Sequence, residues 1–146
     1  MASLQLRPAT VADTAVIARL LDDLGYPGDL NFLTRSIQRQ LDHPDAILLV
    51  AVVDDAVVGV ISLHFIPQLA LPGDFCRISY LCVSPKARGQ GIGTALESRA
   101  YEMAQAQGCD RMEVHCHSRR VDAHRFYTRQ GYTESPKYLV KNITCK

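Results

Sequence analysis

Two runs of β-branched and aliphatic residues, 47–53 and 57–66, are separated only by a short acidic turn carrying Asp54-Asp55. A connection this short joins neighbouring antiparallel strands, whereas parallel strands need a crossover of about a dozen residues or more. A hairpin in the middle of the chain therefore excludes an all-parallel, doubly wound sheet. The other elements must be arranged around it.

Spacing supplies those elements. Residues 4–7 alternate and stop at Pro8, which reads as a first strand. Thr10 and Asp13 make a capping-box pattern, and Val16, Ile17, Leu20, Leu21 and Leu24 then recur at helical spacing until Gly25 and Pro27-Gly28. Leu30, Leu33, Ile37 and Leu41 mark a second helix closed by His43-Pro44. Residues 75–83 form a fourth strand, and residues 91–107 a helix with Ile92, Leu96 and Met103 inward and Gly108 at its stop. Residues 111–117 read as a fifth strand. Asp122 caps a short helix carrying Ala123, Phe126 and Tyr127 and ending at Gly131, and residues 138–143 supply a last strand. One more short strand fits near Tyr132. The predicted order is β-α-α-β-β-β-α-β-α-β, a mixed α/β (α+β) fold with a central, mostly antiparallel sheet of about 6–7 strands flanked by about four helices.

Composition narrows the function classes. No linker divides the chain, so residues 1–146 are expected to form a single domain. Hydrophobic residues at 47% and charged residues at 21% exclude a disordered tail or a coiled-coil rod. Lys plus Arg is 16 against 15 for Asp plus Glu, which is not the basic excess of a nucleic-acid binder. The longest apolar run, residues 46–53, is far short of the ~20 residues that span a bilayer, so no membrane partner is expected. The start of the chain has no long apolar segment of the secretory kind. Five cysteines, an odd number without a CxxC pair, fit a reduced compartment and hence a cytoplasmic location.

The segment that carries chemistry is Arg88-Gly89-Gln90-Gly91-Ile92-Gly93-Thr94, between the fourth strand and the third helix. Alternate glycines remove the side chains that would keep a ligand from the backbone. Their amides, together with a helix N-terminus, form a ready anion site, and Arg88 adds a forked donor. A diphosphate is the guest this suits. The Walker A pattern is absent because no Lys follows Gly93, and the dinucleotide spacing fails because Thr94 stands where its third glycine belongs. By itself such a cluster is also an ordinary tight turn.

At these residues the chain resembles a known family. LRPATVADTAVIARLL near the start, LCVSPKARGQGIGTALE in the middle and DAHRFYTRQGY near the end are similar to the GCN5-related N-acetyltransferases. Arg88, Gly91 and Gly93 match that family's Q/R-x-x-G-x-G/A loop, and Ala123, Phe126, Tyr127, Gly131 and Tyr132 match its A-x-x-F-Y-x-x-x-G-Y stretch. The resemblance covers nearly the whole chain. It implies acetyl-coenzyme A as co-substrate, its diphosphate on the amides of residues 88–94. Its pantetheine arm would pair like an added strand with Leu81, Cys82 and Val83. It also implies that the fourth and fifth strands splay apart around the thioester.

Acetyl transfer to an amine needs a proton acceptor, an oxyanion donor and an acid for the leaving thiolate. The resemblance assigns the acid to Tyr127, whose phenol, with an ordinary value of about 10, is protonated at neutral pH. Simple aromatic packing, as Phe126 beside it does, is the competing reading. A backbone N–H near Cys82 or Val83 would face the oxyanion. Many relatives place a Glu on the fourth strand as base, but Arg77 and Ser79 hold the corresponding positions here. Strand alternation groups Glu113, His115 and His117 on one face, and His115 is the candidate base. A polar strand-end His bonded to backbone, or a water chain without a dedicated residue, are the alternatives.

His115-Cys116-His117 does not make a metal site, because alternation turns Cys116 away and two histidines do not close a zinc shell. No metal is expected. Cys82 reads as a small buried hydrophobe. Arg119-Arg120 either reaches the cofactor phosphates or is solvated, and Arg120 stands where many relatives carry Asn. Asp22, Asp23 and Asp29 could hold a cationic acceptor or simply be solvated helix surface. An aminoglycoside-like amine, a polyamine, an amino acid and a peptide N-terminus all fit as acceptor, and a second copy of the chain is a candidate partner because dimers are common in the family. Two readings from other classes remain: a catalytically silent acyl-coenzyme A sensor that keeps the loop without a base, and a module binding ATP or NAD.

Overall fold

A computed structural model describes residues 3–115, 120–135 and 139–143. It divides into two compact units, Met1–Val114 and His115–Lys146, described separately below.

The first unit is one sheet and three helices. Strands β1 (Leu4–Pro8), β2 (Ala46–Val53), β3 (Ala56–Ile66), β4 (Phe75–Val83) and β5 (Arg111–Val114) lie in the order β1-β2-β3-β4-β5. The first four pair antiparallel, and β5 pairs parallel to β4. Helices α1 (Thr14–Leu24) and α2 (Leu30–Asp42) connect β1 to β2, and α3 (Ile92–Ala106) is the crossover from β4 to β5. The expected hairpin is present. Asp54 and Asp55 both adopt positive φ, 51° and 62°. These are the left-handed conformations that match a two-residue turn to the twist of its strands, and Asp accepts them more readily than most residues.

α1 and α2 present the stripes the spacing gave them. Ile17, Leu20 and Ile37 join Leu48, Val50, Val60 and Cys82 of the sheet in one buried cluster. Ile61, Leu63, Ile78 and Leu96 are fully buried. Gly59 lets α3 approach closely, since a Cβ there would lie 3.2 Å from side-chain atoms of both Ile92 and Leu96.

α1 begins on a charge cluster at Asp13. The Arg7 guanidinium donates to both of its carboxylate oxygens, at 2.9 and 3.0 Å, and the Thr10 N–H donates to Oδ2 at 2.9 Å. Asp13 is only 7% exposed. The bond from Arg7 holds its carboxyl below the ordinary carboxylate range. A depressed acid stabilises the fold above its unfolded value, about 3.9, and that stability is lost as pH falls through the folded value. Asp13→Asn is therefore expected to lower unfolding free energy by about 1–3 kcal/mol at pH 7. The difference from wild type should narrow below about pH 4, as denaturant titrations at pH 7 and pH 3 would check.

The second unit contains α4 (Val121–Arg129). Arg120 holds the N-cap position and Asp122 lies in the first turn, two places past the N-cap position expected of it. Tyr127 is buried, with ring contacts to Phe126 at 5.1 Å and Tyr132 at 5.3 Å.

The strand count differs from expectation. β5 stops at Val114 rather than at residue 117, and residues 132–135 and 139–143 carry no strand. The described sheet thus has five strands, where the sequence suggested about six or seven. Alternating apolar residues mark a strand only where a partner edge supplies hydrogen bonds. Leu139, Val140 and Ile143 instead stand 87%, 73% and 93% exposed. Cys116, His117, Arg119 and Tyr138 lie outside the described residues.

Candidate active site

β4 is paired unequally along its two edges. Towards β3 its register runs from Ile66↔Phe75 to Gly59↔Val83. Towards β5 it runs only from Phe75↔Arg111 to Ile78↔Val114. Among the described residues, β4 therefore has no β5 partner from Ser79 onward. This is where the two strands part, and Leu81, Cys82 and Val83 lie on that stretch. Their cross-strand partners are Ile61, Val60 and Gly59. Alternate backbone groups of a strand point to opposite edges, so this segment offers hydrogen-bonding groups away from β3.

The chain leaves β4 through a 3-10 turn, Pro85–Ala87, and reaches α3 through the glycine loop. Gly89 and Gly91 hold φ of 81° and 78°, with nothing within 4 Å of the position a Cβ would take. Arg88, Gly89, Gln90 and Gly91 are exposed, while Ile92 is buried and anchors the start of α3. The helical ladder begins with the Ala95 N–H donating to the Gly91 carbonyl at 3.0 Å. The amides of Ile92, Gly93 and Thr94 precede it, at the positive end of the helix dipole. The result is an open cradle of backbone donors, with Arg88 adjacent in the chain, and it suits a diphosphate.

On the α1/α2 side of the sheet, polar side chains gather where β4 and β5 part. The β3–β4 register slips between Ser62 and Leu63: Ser62 faces Tyr80, and Leu63 faces Ile78. Ser79 is the extra residue, and this bulge re-aims its side chain. The Ser79 Oγ lies 2.7 Å from His64 Nδ1. His64 pairs across the strands with Arg77. Burial pushes the His64 imidazole below its ordinary value, and the charges of His43 and Arg77 lower it further. Arg77 is itself occupied: its Nε donates to Glu113 Oε1 at 2.8 Å, and Arg111 lies 3.6 Å from the other Glu113 oxygen. Tyr80 meets Tyr26 edge-on at 5.5 Å.

Asp29 and Glu113 hold structural bonds. Asp29 accepts the N–H groups of Asn31 and Phe32 at 2.7 and 3.3 Å, so it is the N-cap of α2. Asp22 and Asp23 are exposed. Glu113 is an ion-paired tie between β4 and β5. His115 is exposed and follows the last residue of β5, so strand alternation no longer assigns it a face. His115 and Tyr127 belong to the second unit. Burial raises the Cys76 thiol to about 12, and Cys76, Cys82 and Cys109 are not in disulfides. Among the described residues no helix is long and apolar enough to cross a membrane.

His64 escaped the sequence reading. It is one polar residue in an apolar strand, 15 positions from Ser79, and only the register and the bulge bring the two together. The one available signal was Ser79 itself, at a strand position where the family resemblance implies a base.

Known proteins resemble this chain in sequence and in fold. A family model described as the Acetyltransferase (GNAT) family matches residues 16–132. The aminoalkylphosphonate N-acetyltransferase of Salmonella typhimurium is 36% identical over 132 residues, which cover 90% of this chain and 86% of that protein. A structure described as a transcriptional regulator from Bacillus halodurans superposes with a TM-score of 0.89 at 25% identity, covering 97% of this chain and 100% of its own. An aminoglycoside N-acetyltransferase solved in complex with CoA gives a TM-score of 0.87 over 99% of this chain and 97% of its own. At 12% identity this is a likeness of fold.

Proposed function

The chain belongs to the GNAT family of acetyltransferases, and from that premise we propose that it transfers the acetyl group of acetyl-coenzyme A to a primary amine of a small molecule, with residues 1–146 acting as one domain. The observation that carries this is the pairing of β4: its β5 ladder ends at Ile78, and the open amide cradle starts ten residues later, at Arg88, on the loop that follows the same strand. Acetyl-coenzyme A supplies an activated thioester. The amides of Arg88, Gly89, Gln90, Gly91, Ile92, Gly93 and Thr94 hold its diphosphate, with the Arg88 guanidinium beside them. The backbone of Leu81, Cys82 and Val83 orients the pantetheine arm as an added strand. An N–H at Cys82 or Val83 donates to the carbonyl oxygen as charge gathers there. Tyr127 gives its phenolic proton to the departing sulfur.

The resemblance to the Salmonella enzyme makes an amine bearing a phosphonate the first acceptor to try. Peptide amines are the second group. The chain works without a resident metal, on this reading, and in the cytoplasm.

A thermal-shift series with acetyl-coenzyme A, coenzyme A, ATP and NAD tests the reading. A ligand at about 100 times its dissociation constant adds about 2.7 kcal/mol, a rise of about 5–10 °C for a chain this long. The expected result is a rise with both coenzyme A species and none with ATP or NAD, followed by thiol release when an amine is added. No rise with either coenzyme A species overturns it. A rise without thiol release for any amine leaves a silent sensor.

A further inference from the structure

The acceptor amine must lose a proton before its nitrogen has a lone pair to offer. Arg77, on β4, is committed to Glu113, and Glu113 is held between Arg77 and Arg111. Neither is placed to take a proton from a substrate. Ser79 is different. It is the bulged residue of β4 and the first one past the end of the β5 ladder, so its hydroxyl stands where the two strands part. Behind it, at 2.7 Å, is His64 Nδ1.

We propose that Ser79 and His64 form the proton relay that activates the acceptor: the ammonium proton passes to Ser79 Oγ while the Ser79 hydroxyl proton passes to His64 Nδ1. This deepens the acetyl-transfer reading and rests on it. The balance closes. The ammonium becomes a neutral amine and the imidazole an imidazolium. The nitrogen lone pair forms the new C–N bond as the C–S bond breaks. The second proton on that nitrogen replaces the one Tyr127 gives to the sulfur. The imidazolium then returns its proton to solvent, since His64 is only half-buried.

A serine hydroxyl alone does not hold a proton at neutral pH. It can pass one on if a base stands behind it, as the serine–histidine pairs of hydrolases do. The surroundings of His64 suit that role. The titratable and charged groups facing it are His43 from the end of α2 and Arg77 from β4. Asp45, in the connection between α2 and β2, gives its carbonyl to the Phe65 N–H and its own N–H to His43 Nδ1. β2 contributes Ala46, the residue paired with His64. With no carboxylate bonded to it among the described residues, the ring stays neutral at pH 7 and ready to accept. The acid limb of the rate profile then belongs to His64, and activity falls as pH drops through its lowered value.

The test is kcat/KM against pH for thiol release, with acetyl-coenzyme A and an aminoalkylphosphonate or another accepted amine. The proteins are wild type, His64→Gln, His64→Ala, Ser79→Ala, the His64→Gln/Ser79→Ala double variant and His115→Gln. Each relay variant is expected to lose about 10²-fold, and the double variant no more than either single. His64→Gln should also lose the acid limb, and added imidazole should partly restore a His64→Ala enzyme. The rise in melting temperature with coenzyme A should persist in every variant, showing that the fold is intact. If His64→Gln does not fold, Ser79→Ala, which removes one oxygen, carries the test by itself. Relay variants within about twofold of wild type, or an acid limb abolished by His115→Gln instead, overturn the relay and leave acetyl transfer standing. A wild type that binds coenzyme A but releases no thiol with any amine overturns both.

Discussion

Tyr127→Phe is expected to lower kcat by about 10²–10³-fold and to leave the affinity for coenzyme A unchanged. The change removes one oxygen and keeps the ring. Tyr127 is 8% exposed, and its ring meets Phe126 and Tyr132 edge-on. Phe preserves those contacts, so any loss of rate is assignable to the hydroxyl. Without an acid the sulfur must leave as a thiolate, and the cost falls on the step that breaks the C–S bond. That cost should shrink if the leaving thiol is made more acidic, as in an aryl thioester of acetate used as donor. Steady-state rates beside a binding titration separate the two outcomes. Unchanged turnover assigns Tyr127 to aromatic packing, which its neighbours would also explain.

The second large effect is expected at Gly91. Its φ of 78° lies in the left-handed region, and a Cβ there would point into open space. In the proposed complex that space belongs to the diphosphate. Gly91→Val should therefore act twice. The backbone strain of a β-branched residue there lowers stability by about 1–2 kcal/mol. The side chain in the cradle weakens coenzyme A by about 2–3 kcal/mol, roughly 30- to 150-fold in Kd. Gly108 separates these contributions. It has the same kind of φ, 75°, and the same empty surroundings, but lies past the other end of α3. Gly108→Val should reproduce the loss of stability and spare the ligand. Calorimetric titration with coenzyme A checks both. Equal affinity in the two variants removes the cradle from the argument.

Much of the fold is legible in the sequence because its elements are either strongly periodic or sharply punctuated. Leu30, Leu33, Ile37 and Leu41 announce α2 before any partner is known, and Asp54-Asp55 turns two apolar runs into a hairpin. β5 is harder. Glu113-Val114-His115-Cys116-His117 keeps its alternation past the point where the parallel ladder ends, and no local pattern records where a neighbouring strand veers away. The cradle was legible because its glycines and helix start are adjacent in the chain. The polar cluster was not. Asp29 reads equally well as a substrate anchor or solvated helix surface, and its bonds to Asn31 and Phe32 show instead a helix cap. Arg77–Glu113 and His64–Ser79 join residues 36 and 15 positions apart. One depends on the parallel register and the other on a one-residue bulge. Neither leaves a mark in spacing.

The strand order has a consequence for how the protein is made. Every ladder in the described sheet joins strands consecutive in sequence, from β1 through β5. As the chain emerges during synthesis, each strand from β2 onward finds a neighbour already present. The β2–β3 and β3–β4 ladders close through short connections, which favours rapid folding, while β1 meets β2 across α1 and α2. The lone parallel step, through α3, comes last. The nascent chain can thus bury most of its core before β5 docks.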